Sequence, residues 1–178
     1  NLTKAALVCN GNTAITGNAA ITIAHLRVDA DHPTLTVSNA GSTTFSHVLL
    51  PHELNRSLTL VNSGAVTLGN LTGNSTSSTL TKSGTGTLTL SGTNAFAGST
   101  TITEGFLQIA TAPNLGSGAF TLDGGGLRWS GGNGTPGTRI ALGANGGTFD
   151  TNGHTVLLSN GVSGASTMTK IGSGQLSL

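Results

Sequence analysis

Six acidic residues supply all the side-chain carboxylates of this chain: Asp29, Asp31, Glu53, Glu104, Asp123 and Asp150. Acid–base cleavage of a polysaccharide needs two such groups grouped on one face. The tightest pair lies in Asp29-Ala30-Asp31-His32. In an extended strand, residues 29 and 31 point to the same side. Pro33 follows directly, so a solvated turn explains the same four residues. Glu104 stands before Gly105, and Asp150 stands in Phe149-Asp150-Thr151-Asn152-Gly153. Both read as turn residues, with Asp150 capping its own turn.

Imidazole beside carboxylate is metal-ligand chemistry. His25, His32, His47 and His52 fall in the N-terminal third, with Glu53 beside the last. Their spacings of 7, 15 and 5 match no closed zinc site. No metal or other cofactor is expected. Ser46 to Arg56, with Pro51 and Asn55, reads as a bulging loop. Loops on repetitive scaffolds carry binding. His47, His52, Glu53 and Arg56 are therefore the candidate contact surface.

The remaining reactive types give bland readings. Cys9 is the only cysteine and reads as a small buried apolar residue. Trp129 alternates with Leu127 and is expected inward; exposed, it would stack on a sugar face. Gly84-Thr85-Gly86 precedes a strand pattern, whereas a phosphate loop must open a helix.

The elements that hold these residues follow from composition. Of 178 residues, 28 are Gly and 30 are Thr, and only 7% are charged, with a net charge of +1. That charge gives no field for nucleic acid or acidic lipid. No stretch approaches the roughly 20 apolar residues of a membrane span. Short alternating runs recur, such as Thr87-Leu88-Thr89-Leu90, Leu35-Thr36-Val37 and Phe120-Thr121-Leu122. Alternation places Leu on one face and Thr on the other, the pattern of a half-buried strand. Asn-Gly dipeptides and Gly runs punctuate the strands as tight turns. Almost no helix is expected.

An internal repeat narrows the fold. Thr81-Lys82-Ser83-Gly84-Thr85-Gly86-Thr87-Leu88-Thr89-Leu90 returns as Thr169-Lys170-Ile171-Gly172-Ser173-Gly174-Gln175-Leu176-Ser177-Leu178, 88 residues later. Such self-similarity marks a solenoid. The expected fold is all-β: a right-handed parallel β-helix of about eight rungs, with the 88-residue offset spanning about four. The rod would be roughly 35–40 Å long. Leu88, Leu90, Ile102, Leu107, Ile109, Phe120, Leu122, Leu127, Ile140, Leu142, Phe149, Val156 and Leu158 are the expected core.

Residues 80–94, Phe96 to Ile109 and Asn114 to Gly118 resemble the autotransporter-associated β-strand repeat, also called the passenger-associated transport repeat. Gly147 to Gly153 resembles another segment common in such passengers. Two positions depart mildly: Ala95-Phe96 stands where the family often has Tyr after Asn94, and Gly98-Ser99 replaces Gly-Gly. The resemblance is weaker over 1–79. It implies a passenger of a Gram-negative type V secretion protein, with a translocator barrel outside this chain. It implies a location outside the cell or on its outer surface.

Residues 1–79 and 80–178 are thus expected as one continuous solenoid, a piece of a longer chain. The leading expectation is a non-catalytic structural or adhesive segment. Its partners would be a surface glycan, a protein receptor or itself, with no nucleic acid and no membrane span. A self-associating fibre subunit, stacked through its ends, is the alternative. A β-helical polysaccharide-degrading enzyme is the third reading.

Overall fold

A computed structural model describes residues 2–51, 56–73, 75–133, 136 and 139–178. The chain coils around an apolar axis, and each coil adds a parallel strand to two long sheets. The first sheet stacks Leu2–Cys9, Ile21–Val28, Thr43–Leu49, Val66–Gly73, Thr87–Leu90, Phe106–Ile109, Gly126–Trp129, Gly147–Asp150 and Met168–Ile171 in that order. The second stacks Thr13–Gly17, Thr34–Asn39, Leu58–Asn62, Thr79–Ser83, Ser99–Ile102, Phe120–Leu122, Ile140–Leu142 and Val162–Ser163. Short strands form a third side. Ala95–Phe96 pairs with the end of Val66–Gly73, and Val156–Leu157 pairs with Leu176–Ser177.

This is a β-solenoid, as the alternation and the repeat predict. Nine strands in one stack and eight in the other complete between seven and eight coils. The only helical turn among the described residues is a 3-10 turn at Ala112–Leu115.

Inward positions stack into largely apolar columns. In the first sheet, Val66, Leu88, Leu107, Leu127 and Phe149 are register partners in succession. In the second, Leu58, Leu80, Thr100, Phe120 and Ile140 form another column. Every expected core residue is buried. Burying a Leu, Val or Phe side chain is worth about 1.5–3 kcal/mol, so these columns are the main force holding coil to coil. Outward, Thr34, Thr59, Thr81, Thr101 and Thr121 stack directly. Thr suits that place because its branched Cβ favours strands and its hydroxyl stays wet.

Two expectations need correction. The loop expected from Ser46 is a strand as far as Leu49, paired with Ile21–Val28 on one side and Val66–Gly73 on the other. Val48 and Leu50 are core. The sequence reading missed this because Ser46 and His47 break the apolar alternation. The 88-residue offset is also not four coils. Lys82 lies in the second sheet and Lys170 in the first. Second-sheet strands begin at Thr79, Ser99, Phe120, Ile140 and Val162, so four coils here use fewer than 88 residues. The second copy therefore overruns onto the next face.

Candidate functional site

Of the four candidate contact residues, His52 and Glu53 lie outside the described residues. His47 projects outward from Thr43–Leu49, and its ring stacks on His25 of the preceding coil. The centroids are 5.2 Å apart and the planes differ by 17°. Asn70 of the following coil places Nδ2 3.4 Å from His47 Nδ1. The stack follows from register, since His25, His47 and Asn70 are successive partners. Arg56 is turned away from solvent, with a side chain 12% exposed, and donates to a carboxylate oxygen of Asp31. Arg27 donates from Nε to Asp29 at 2.5 Å. Each member of the acidic pair is thus held by its own guanidinium. Among the described residues, no three His, Cys, Asp or Glu side chains converge as a metal site.

The other acids shape turns. Asp123 Oδ1 accepts from Asn145 N at 2.9 Å and from Asn145 Nδ2 at 3.1 Å. Asp150 Oδ1 accepts from Asn152 N at 3.0 Å, the expected capping bond. Its other oxygen accepts from Arg128 Nε at 2.7 Å. The Arg128 guanidinium also lies 4.5 Å from the centre of the Phe106 ring. Trp129 is inward and buried, and its indole N–H donates to Gly132 O at 2.6 Å. Cys9 is fully buried. Burial raises its thiol above the ordinary 9.0, opposed by a hydrogen bond with Thr13.

The most concentrated polar chemistry sits at a corner the sequence reading passed over. Lys82 occupies an inward position, stacked between Leu60 and Ile102. It is fully buried. Its ammonium turns to the corner and donates to Ser83 O at 2.8 Å, Gly84 O at 2.6 Å and Glu104 O at 3.1 Å. Gly84 takes φ +76, a left-handed conformation that costs other residues strain. Glu104, on the next coil, accepts from Gly84 N at 3.1 Å through Oε2. Burial lowers the Lys82 pKa from 10.5 to about 8, against the opposing pull of Glu104. The signal was present in Leu80-Thr81-Lys82, whose alternation puts Lys82 on the face of Leu80.

Buried amides do the same work on a neighbouring side. Asn94 Oδ1 accepts from Leu71 N at 2.7 Å in the coil before, and Asn94 Nδ2 donates to Asn114 O in the coil after. Asn114 returns the link by donating to Gly92 O at 2.7 Å.

Lys82, Asn94 and Glu104 all fall inside the stretch that matches a known family model. Residues 80–109 match the Passenger-associated-transport-repeat. The chain carries this repeat within a β-solenoid, an architecture consistent with an autotransporter passenger. The match covers a minority of the chain. Comparisons with curated proteins and with solved structures find no match.

Proposed function

We propose that this chain is a non-catalytic structural and adhesive segment of a secreted, surface-exposed autotransporter passenger. The observation that carries the reading is the transport repeat set without interruption into the coil stack. A rod of this kind presents side chains at fixed spacing on its outer faces. His25, His47 and Asn70 form one such outward row. The test is to place an epitope tag at the exposed turn around Asn145 of the native gene product. Antibody labelling of intact cells supports the reading; labelling only after lysis overturns it. For adhesion, the purified chain is applied to arrays of glycans and of matrix proteins. Binding that Arg27→Ala or His47→Ala weakens supports a contact role for this face.

A second reading is association between copies through the coil ends. Unpaired strand edges invite strand addition. Sedimentation across a hundredfold concentration range tests it; a single monomeric species throughout overturns it.

A further inference from the structure

Lys82 interrupts a column that is otherwise aliphatic: Leu35, Leu60, Lys82, Ile102, Leu122 and Leu142 are successive partners. An ammonium taken out of water at such a place needs strong compensation. Three backbone carbonyls supply it. Two of them, Ser83 O and Gly84 O, belong to its own coil, while Glu104 O belongs to the next. Carbonyl oxygens converging on one charge replace its hydration shell. The Glu104 side chain reaches back to Gly84 N, so the two coils are joined reciprocally. The approach of the next coil is close. A Cβ on Gly105 would stand 2.5 Å from Gly84 O, 2.5 Å from Gly86 O and 3.0 Å from Lys82 Nζ.

The second copy of the motif supplies an independent comparison. Lys170 Nζ donates to Gly172 O at 2.5 Å, as Lys82 does to Gly84 O. Gly172 takes φ +76, the same value as Gly84. Yet Lys170 lies on a different sheet and is exposed. The Lys-x-Gly corner thus forms at both places where the motif occurs, and at Lys82 the next coil adds the Glu104 carbonyl to it.

We propose that the Lys82–Gly84 corner is a carbonyl cage for an ammonium ion, loaded by the chain's own lysine and shared by two coils, so that residues 79–90 and 99–109 open and close as one unit. Between them, these two stretches hold 22 of the 30 residues, 80–109, that match the repeat. The repeat is then a two-coil cooperative block, and Lys82 is the residue that makes it one. The inference stands on the corner's geometry and is independent of where the protein is located.

The test is Lys82→Met in the full chain, followed by amide hydrogen exchange. Local opening is read segment by segment in this way. The expected result is a drop of about tenfold or more in protection at 79–90 and 99–109 together, with Ile21–Val28 unaffected. Unchanged or increased protection overturns the proposal, because a lysine serving only as an apolar stem is replaced by Met without loss. A loss confined to 79–90 overturns it as well. A second measurement needs no variant. The chain has three lysines, Lys4, Lys82 and Lys170. In nitrogen-15 spectra at pH 7, the Lys82 ammonium should exchange its hydrogens slowly enough to be seen. Its absence under conditions that retain buried amide signals overturns the cage.

Discussion

Glu104 meets Lys82 from the coil above and closes its corner twice. Its carbonyl accepts from Lys82 Nζ, and its carboxylate accepts from Gly84 N. Only the second contact depends on the side chain. Glu104→Gln removes the charge and keeps the shape. The lysine then loses the one charge that supports its proton against burial. The expected outcome is a Lys82 pKa lower than its wild-type value of about 8, read by nitrogen-15 titration of Nζ. Stability should fall by about 0.5–1.5 kcal/mol. A pKa that rises contradicts this picture.

The same lysine makes stability depend on alkaline pH. The folded chain releases the Lys82 proton near pH 8, whereas the unfolded chain keeps it to the ordinary lysine value of 10.5. Between those values the unfolded state binds more protons, so stability rises with pH. Glu104 is the charged group facing Lys82. Denaturant unfolding at pH 7.5, 9 and 10.5 should show wild type gaining on Lys82→Met. Taking this difference removes the opposite contribution of Cys9, whose raised folded pKa makes stability fall as the unfolded thiol ionises above 9.0.

Asn94 joins three successive coils through its two side-chain bonds. Asn94→Ala leaves Leu71 N and Asn114 O without that partner. A buried unsatisfied group costs about 1–3 kcal/mol, so a loss of about 2–3 kcal/mol is expected in urea unfolding. Asn94→Asp should also destabilise, because an ionised carboxylate has no hydrogen to donate to Asn114 O.

Cys9 should react slowly. It is fully buried and its thiol is harder to ionise than usual, while the thiolate is the reactive form. Labelling by a disulfide reagent at pH 7.5 should proceed at the rate of local opening and become immediate in denaturant. Rapid labelling of the native chain would show the first coils to be open in solution.

Much of this fold is written in alternation. Thr87-Leu88-Thr89-Leu90 declares its inward and outward faces, and its duplication announces stacking. Trp129 obeys the same rule. What alternation conceals is a polar residue at an inward position. Lys82 keeps strict step with Leu80, but its charge argues for water until the carbonyls that receive it are seen. One of them comes from Glu104, on a coil that no local pattern places there. His47 reads in the opposite sense, as a loop residue, because an outward His between Ser46 and Val48 is not a familiar strand pattern, yet it lies in the strand Thr43–Leu49. Its pairing with His25 and Asn70 is a property of register, which three-dimensional stacking alone determines.

The two Lys-x-Gly corners lie on different sheets yet share one backbone conformation. A duplicated stretch of gene therefore need not encode a whole number of coils to be accommodated. It can rotate around the cross-section and still find a corner to make.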